Sequence, residues 1–427
     1  MPFVTTGLDR LVESRPPLPG RGRAALLCNA TTISSRGVPT AEAAAGCPGL
    51  RLERIFTPQH GFAAEKQDNM IPSSDGVHAR LRVPLISLYG EQREPDPAAF
   101  DGLDALIIDL QDVGTRVYTF LVTALFTIRG ALARGVPVIV LDRPNPIGGA
   151  VDGPVLEEGF RSFVGTADTP LRHGLTAAEY LLYGSWRMGL IAEEAARRVA
   201  AGARRAAREG PDGAGKSEPR VGEAPLSILP LAGWRRDMYF DATGLLWTMP
   251  SPNMPALETA IVYPGQVLLE GTNLSEGRGT TRPFEIFGAP FVDPPDVLSR
   301  LGGTAGCSPL AGALLREVAF EPMFQKHADR TCRGFHIHVV DRPAYAPVRF
   351  TVSLLAAIRR AHGDAFAWRE PPYEYEWERM PIDLLCGTDR VRRAIDGGAD
   401  CAEIAASWEE PLRAYRERVG PLLLYDD

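Results

Sequence analysis

The stretch Ala105-Leu-Ile-Ile-Asp-Leu-Gln-Asp-Val-Gly-Thr-Arg-Val-Tyr-Thr-Phe120 decides the fold. Residues 105–110 are mostly apolar, residues 111–116 are mostly polar, and residues 120–134 have the pattern of a helix. A second apolar run follows at residues 136–141. Runs of Ile, Val and Leu on successive positions suit strands that are covered on both faces, as in a parallel sheet. The stretch therefore predicts a strand–helix–strand unit.

The same alternation of strands and helices extends to both sides of this unit. Further apolar runs of strand length lie at residues 24–28, 52–56 and 85–88, and residues 176–183 have a helical pattern. Strands that alternate with helices predict an α/β fold with a doubly wound, mostly parallel sheet of Rossmann type.

Polar clusters follow three of the predicted strands. In such sheets, ligands bind beyond the carboxyl ends of the strands. Each residue also has a structural explanation, because polar residues are common in turns and Asp often caps a helix. Together at one sheet edge they predict a site. The candidates in these clusters and just after them are Gln59, His60, Asp112, Arg116, Tyr118, Arg143 and Asn145.

A glycine-rich loop at residues 263–284 combines carboxylates, an arginine, an amide and hydroxyls. Glycine lets a backbone approach a ligand closely. The loop lacks the G-K-[ST] ending of a Walker A motif and the G-x-G-x-x-G dinucleotide arrangement. Its candidate residues are Glu270, Asn273, Glu276, Arg278 and Thr280.

Arg172 and His173 precede another predicted helix, in which Thr176 and Glu179 fit a capping box. The capping box explains Thr176 and Glu179 but leaves Arg172 and His173 as candidate binding residues. His336 and His338 alternate on a predicted strand at residues 334–340, without an evident third ligand, so we predict no metal site. Residues 349–352 are predicted to form a further strand.

The chain of 427 residues is long for a single domain. A proline-rich joint at residues 249–255, which includes the candidate Asn253, predicts a boundary. We expect a Rossmann-like domain at residues 1–253 and a smaller α/β domain at residues 254–427. Residues 192–224 are rich in Ala, Arg and Gly and are predicted to be an insertion, helical at first and then a flexible loop.

Composition excludes several classes of partner. The net charge is −7, and no basic stripe dominates, so nucleic acid is not an expected partner. No apolar stretch approaches the roughly 20 residues that span a bilayer, and no export signal is recognisable. The six cysteines are scattered without a C-x-x-C pair. We expect a cytoplasmic protein that needs no cofactor, and the sequence leaves its oligomeric state open.

Several motifs together resemble one family. These are FTPQHGF at residues 56–62, DLQDVGTRVYTF at 109–120, LDRPNPIGG at 141–149, RHGLTAAEY at 172–180, PSPNMP at 250–255 and EGTNLSEGRGTT at 270–281. They resemble the family called domain of unknown function 1343, or glycoside hydrolase family 171, whose characterised members are exo-β-N-acetylmuramidases. The resemblance runs from about Gly7 to near the C-terminus. It implies a Rossmann-like catalytic domain, an auxiliary domain, and an active-site cleft where they meet.

The chain departs from this family at Gln59. Many members have a glutamate there, in a P-E-H-G motif, and that glutamate is the favoured catalytic residue. Glutamine cannot give or take up a proton, so the role does not carry over. The candidates for acid or base are instead Glu276, Glu65 and Asp112, with His60 as an alternative proton carrier.

The resemblance implies a muramic-acid glycoside from peptidoglycan as the small-molecule substrate. A cytoplasmic form of the protein would fit a role in recycling imported cell-wall fragments. The 2-acetamido group of such a sugar allows a substrate-assisted mechanism beside the paired-carboxylate ones. Arg116, Arg172 and Arg278 are candidate clamps for the lactyl carboxylate, since arginine binds carboxylates in bidentate fashion. The alternative is a glycan-binding protein without turnover, favoured by Gln59. A nucleotide-dependent enzyme is a weaker alternative, because the dinucleotide fingerprint is missing.

Overall fold

The computed structural model describes residues 4–67, 70–90, 93–209, 224–301 and 310–426. The strands in these ranges are β1 (Arg23–Leu27), β2 (Arg51–Thr57), β3 (Gly76–Val77), β4 (Pro84–Ser87), β5 (Ala105–Ile108), β6 (Val138–Leu141), β7 (Asp152–Val155), β8 (Pro170–Arg172), β9 (Leu226–Leu229), β10 (Ile286–Ala289), β11 (Ala313–Phe320) and β12 (Cys332–Val339). The α-helices are α1 (Gly7–Ser14), α2 (Thr40–Ala45), α3 (Phe120–Ala133), α4 (Ala177–Arg187), α5 (Glu193–Glu209), α6 (Leu257–Gln266), α7 (Pro294–Arg300), α8 (Pro347–His362), α9 (Pro381–Cys386), α10 (Arg390–Asp396), α11 (Cys401–Ala406) and α12 (Glu409–Val419).

Seven strands form a central sheet in the order β3-β4-β2-β1-β5-β6-β9. All neighbouring pairs are parallel except β3 with β4. Every residue of β5, β6 and β9 is buried, as expected for strands covered on both faces. The predicted mostly parallel sheet is confirmed.

Helices cover both faces of this sheet. Side chains of successive strand residues point to opposite faces, so each strand contributes to two cores. Leu106 and Ile108 belong to a large apolar cluster that includes residues of α3 and α4. Ala105 and Ile107 belong to a second cluster, which includes residues of α1 and α2. This arrangement confirms the doubly wound fold.

The smaller C-terminal part contains an antiparallel sheet in the order β10-β12-β11 and a pair of helices, α6 and α8, that pack together. A Cβ atom added at Gly265 in α6 would lie 2.0 Å from the carbonyl oxygen of Pro347 in α8. Only glycine allows this approach. This close packing fixes the position of the next segment, the 3₁₀ helix Val267–Gly271.

One predicted element is wrong. Residues 349–352 were expected to form a strand, but they lie in the first turns of α8, a helix of 16 residues that begins with Pro347. The short run of Phe350, Thr351 and Val352 has β-branched and aromatic character. A run of this length does not distinguish a strand from a buried helix, and here the longer buried face decides.

The C-terminal end of the chain packs back onto the Rossmann-like part. The Tyr425 hydroxyl donates a hydrogen bond to Asp142 and accepts one from the backbone N–H of Leu231 at 2.8 Å. The Tyr415 hydroxyl donates to the carbonyl oxygen of His173 at 2.8 Å. The last residues therefore stabilise the larger part, and the division at residue 253 stays a prediction.

The expected helix at the start of residues 192–224 is α5, and residues 210–223 lie outside the described ranges. In α5, Arg204 donates hydrogen bonds to the carbonyl oxygen of Leu423, which ties this helix to the C-terminal end. Across the described ranges, no helix is both long enough and apolar enough to cross a membrane.

Candidate active site

A cavity lies between the Rossmann-like part and the C-terminal part. It contains about 490 Å³ free of protein atoms, including the portion that opens to solvent, and the centre of a water molecule can reach about 40 Å³ of it. The cavity is lined by Gln59, His60, Val117, Tyr118, Thr119, Phe120, Val164, Ser251, Asn253, Met254, Tyr263, Glu270, Arg278, Phe284, Tyr373 and Glu374.

Two carboxylates, Glu270 and Glu374, line this cavity. Glu270 lies in the 3₁₀ helix after α6, and Glu374 lies in a turn between α8 and α9. Their side chains are buried, with exposed fractions of 4% and 6%. Both are therefore placed to act on a ligand in one largely dehydrated space.

Glu270 is held as an ion pair. The Arg278 guanidinium lies 2.8 Å from one carboxylate oxygen, and the Tyr373 hydroxyl donates to the other at 2.7 Å. The ring of Tyr263 also lines the cavity, and burial, followed by the charge of Glu270, raises the pKa of its hydroxyl well above the usual value. These contacts hold the Glu270 carboxylate between one guanidinium and neutral hydroxyl groups.

Glu374 has a different environment. The Tyr89 hydroxyl donates to its Oε2 at 2.9 Å, and the side-chain amide of Gln59 favours its charged form. Burial raises the pKa of Glu374 to about 7, and the nearby charge of Glu270 acts in the same direction. The hydrogen bond from Tyr89, the charge of Arg93 and the amide of Gln59 oppose this rise without cancelling it. The two cavity carboxylates therefore have different surroundings, since Glu270 is paired with Arg278 and Glu374 meets neutral side chains.

Glu276 lies behind Arg278 rather than at the cavity. Its carboxylate is 3.4 Å from Nε of Arg278 and 2.8 Å from Nζ of Lys326. Burial acts to raise the pKa of Glu276, but Lys326 and Arg278 outweigh it and hold the pKa below its usual value. Lys326 also donates to three backbone carbonyl oxygens, those of Leu269, Thr272 and Leu274. Glu276 is thus part of the support of Arg278.

Gln59 and His60 follow β2 and reach the cavity from the Rossmann-like part. The Thr119 hydroxyl, just before α3, donates to Oε1 of Gln59 at 2.6 Å. His60 has a left-handed backbone with φ 73°, and its Nδ1 lies 2.6 Å from the carbonyl oxygen of Lys66. A carbonyl oxygen can only accept, so Nδ1 carries the proton and Nε2 is the acceptor in the neutral ring.

Tyr118 and Asn253 complete the polar lining that the sequence singled out. Burial raises the pKa of the Tyr118 hydroxyl far above its usual value, so it remains a neutral hydrogen-bonding group. The side-chain amide of Asn253 donates to the carbonyl oxygen of Gln67 at 2.7 Å and accepts from the Gln67 side chain at 3.0 Å. Asn253 thereby fixes one wall of the cavity.

The other candidates at the strand ends form hydrogen bonds and ion pairs with neighbouring loops instead of lining the cavity. Arg143 makes a bidentate pair with Asp109, with distances of 2.6 and 2.7 Å. Asp112 accepts from the backbone N–H of Gly114 at 2.6 Å and lies 3.0 Å from Nε2 of His173. Asn145 donates to the carbonyl oxygen of Leu175. These contacts join the loops at this sheet edge.

Two of the three candidate arginine clamps also have backbone partners outside the cavity. Arg116 is fully buried and donates to the carbonyl oxygens of Pro154, Thr169 and Leu385 at 2.8 to 3.1 Å. Burial lowers the pKa of its guanidinium to about 10. Arg172 donates to the carbonyl oxygen of Ile147 at 2.6 Å. Arg278 is the candidate clamp that lines the cavity.

The remaining candidates lie in turns or at the surface. Glu65 is exposed and belongs to the loop after His60. Asn273 donates to the carbonyl oxygen of Ala365, and its Oδ1 accepts from the backbone N–H of Ala367. Thr280 donates to the carbonyl oxygen of Gly277 within its own turn. None of these side chains is part of the cavity lining.

Sequence reasoning missed Glu374 and Tyr373. They belong to the stretch Pro371-Pro-Tyr-Glu-Tyr-Glu-Trp377, in which aromatic and acidic residues alternate after two prolines. Aromatic rings and carboxylates are the side chains that a sugar site needs, so this alternation was the available signal.

His336 and His338 lie on β12, far along the chain from the cavity residues, with ring centroids 4.0 Å apart. Burial lowers the pKa of His336 to about 4, so its ring is neutral at pH 7. Within the described ranges, no group of three or more His, Cys, Asp and Glu side chains is arranged to hold a metal ion.

The chain is similar in sequence and in structure to known proteins. Residues 24–258 match the family described as exo-β-N-acetylmuramidase NamZ, N-terminal, and residues 261–425 match its C-terminal counterpart. The peptidoglycan β-N-acetylmuramidase NamZ of Bacillus subtilis is 32% identical over 427 residues, which cover 99% of this chain and 92% of that protein. Two DUF1343 family proteins of Bacteroides fragilis have similar crystal structures, with TM-scores of 0.79 and 0.66. Each is 24% identical, and the alignments cover 100% of both chains in the first case and 99% in the second.

Proposed function

This chain belongs to the NamZ family of exo-β-N-acetylmuramidases, and we propose that it releases terminal N-acetylmuramic acid from peptidoglycan fragments in the cavity between its two parts. Membership of this family makes it a muramidase-like glycoside hydrolase. The observation that carries the location is the pair Glu270 and Glu374 in one buried cavity. A pair of carboxylates is the usual equipment for hydrolysing a glycosidic bond.

The charges around the cavity suit an anionic sugar. Glu270 and Glu276 are balanced by Arg278 and Lys326, so this group of four has no net charge. The lactyl carboxylate of muramic acid would then meet Arg278 without a large opposing field. Tyr118 and Asn253 supply neutral groups for hydroxyl and acetamido oxygens. This arrangement supports Arg278 as the clamp.

The test is release of muramic acid from a 4-nitrophenyl β-N-acetylmuramide and from the muramic acid–glucosamine disaccharide. Wild type is compared with Glu270→Gln and with Glu378→Gln, whose exposed carboxylate lies near the same turn. We expect activity in wild type and Glu378→Gln and a large loss in Glu270→Gln. Full activity of a folded Glu270→Gln variant would remove the cavity from the proposal.

Substrate choice tests the clamp separately. Arg278→Lys keeps the positive charge and loses the planar fork that binds a carboxylate in bidentate fashion. We expect it to raise KM for the muramide more than for the matching β-N-acetylglucosaminide. An equal rise for both sugars would show that Arg278 does not recognise the lactyl group.

Gln59 favours a second candidate, a glycan-binding protein without turnover. Its amide lines the cavity and is fixed by Thr119, but it cannot transfer a proton. Under this alternative, calorimetry would detect binding of the disaccharide while no muramic acid is released. A cytoplasmic role in recycling stays a prediction, which fractionation of cells would test.

A further inference from the structure

We propose that Glu374 is the acid that protonates the leaving oxygen, and that Gln59 is a positioning residue that directs the Glu374 carboxyl group. This inference rests on the proposed glycosidase function and assigns roles within its cavity. It is carried by the geometry of Glu374, Gln59, Tyr89 and Thr119, which come from four separate segments of the chain.

The backbone holds Glu374 towards the cavity. Tyr373 and Glu376 form reciprocal backbone hydrogen bonds of 2.9 Å, which close a tight turn around Glu374 and Tyr375. Both turn residues have left-handed backbones, with φ values of 44° and 66°. Such conformations are costly for residues other than glycine, and they concentrate at functional sites. The turn is therefore maintained by its surroundings and sets the direction of the carboxyl group.

Glu374 and Glu270 have different surroundings, which give the two carboxylates different roles in the proposed reaction. Within the described part of the chain, no salt bridge joins Glu374 to a basic side chain, although the charge of Arg93 acts on it, whereas Glu270 is paired with Arg278. A buried carboxyl group without an ion-pair partner binds a proton more readily than a paired one. Glu374 is thus the proton carrier, and Glu270 supplies negative charge facing the sugar.

Gln59 sets the orientation of the Glu374 carboxyl group, which carries the proton. Its Oε1 accepts from Thr119, so the NH₂ end of the amide is turned towards Glu374. The Tyr89 hydroxyl donates to the same carboxyl group. These two neutral side chains hold the carboxyl group of Glu374 at the cavity wall. A glutamate at position 59 would compete for the proton, whereas glutamine cannot.

Besides the substrate, the proposed reaction needs only a water molecule. The Glu374 proton forms a bond to the glycosidic oxygen while the bond from that oxygen to the anomeric carbon breaks, and its electron pair stays on the oxygen. Glu270 stabilises the positive charge that develops on the sugar. A water molecule adds its oxygen to the anomeric carbon, and its released proton replaces the one that Glu374 gave up.

The test compares substrates with different leaving groups. The disaccharide needs protonation of its leaving oxygen, whereas 4-nitrophenolate leaves as a stable anion. In Glu374→Gln we expect kcat for the disaccharide to fall by about 100-fold or more, with a much smaller loss for the nitrophenyl muramide. Glu378→Gln is the matched control and should resemble wild type. Equal losses on both substrates in a folded Glu374→Gln protein would overturn the assignment of the acid.

The positioning role has its own readout. The Gln59 amide lowers the pKa of Glu374, so replacing this amide should raise that pKa further. Gln59→Met should therefore move the basic limb of the kcat profile to higher pH. A profile at the wild-type position, with only a lower kcat, would show that Gln59 does not act through Glu374.

Failure of the proposed function can be told apart from failure of this inference. If wild type releases no muramic acid from either substrate, the function falls. Infrared difference spectra across pH 5–9 then decide about Glu374 independently. A carboxylic C=O band that wild type loses near neutral pH and that Glu374→Gln lacks would support the proton carrier. Absence of the band in wild type would overturn it.

Discussion

The proton on Glu374 should be visible in the stability of the protein, without any substrate. A buried carboxyl group with a raised pKa binds a proton more tightly in the folded chain than in the unfolded one. It therefore contributes stability that is fully present below the pKa of the unfolded chain and is lost as the pH rises through the folded pKa. Glu374→Gln cannot titrate, so its stability relative to wild type should increase with pH.

The magnitude follows from the two pKa values. The ordinary value is 4.5, and burial raises the pKa of Glu374 in the fold to about 7. A difference of about 2.5 units corresponds to roughly 3 kcal/mol in total, of which about 2.5 kcal/mol falls between pH 5 and pH 8. With an unfolding entropy of about 2.1 cal/mol/K per residue, a chain of 427 residues would change its Tm by about 3 °C.

Thermal denaturation of wild type, Glu374→Gln and Glu378→Gln at pH 5 and pH 8 measures this difference. Asp142, whose pKa burial also raises to about 7, contributes equally in all three proteins and cancels. We expect Tm of Glu374→Gln to gain about 3 °C on wild type over this interval, and Glu378→Gln to follow wild type. A difference between Glu374→Gln and wild type that stays constant with pH would refute the reasoning.

Three substitutions test other parts of the structure. Arg278→Ala leaves Glu270 and Glu276 without their shared partner, so we expect a loss of about 3–5 kcal/mol in thermal denaturation; an unchanged Tm would contradict the buried ion pairs. Arg116→Ala exposes no cavity wall but removes the guanidinium from the carbonyl oxygens of Pro154 and Leu385, at about 1–3 kcal/mol for each, so Tm should fall while KM for the muramide stays constant. A selective rise of KM would favour the clamp role instead. Gly265→Ala should lower stability by about 1–3 kcal/mol because its Cβ meets a backbone oxygen of the neighbouring helix, and a higher Tm would show that this contact is not tight.

Part of the candidate site was accessible from the sequence because its residues lie at positions that a parallel sheet makes predictable. Gln59 and His60 follow β2, and a strand end of this kind faces the ligand side of a doubly wound sheet. Glu270 and Arg278 belong to a glycine-rich loop whose composition marks it. These four side chains line the cavity.

For other strand-end residues, the sequence did not reveal whether they line the cavity. Arg143, Asp112 and Arg116 have the residue types of a binding site, yet their partners are Asp109, His173 and backbone carbonyl oxygens. A buried polar group must be paired, and the loops of this sheet edge contain many such groups. Whether a side chain meets a ligand or a neighbouring loop depends on its direction, which residue type does not reveal.

The sequence alone determined the doubly wound fold, because apolar runs of strand length alternate with helical patterns along the first half of the chain. It also determined local features such as the capping box of Thr176 and Glu179. Tertiary structure decided which carboxylates share the cavity. Glu270 and Glu276 are six positions apart on one loop, but only Glu270 lines the cavity, while Glu276 meets Lys326. Glu374 lies in a turn about 100 residues further along the chain. Packing of α6 against α8, and not spacing along the chain, brings it close to Glu270.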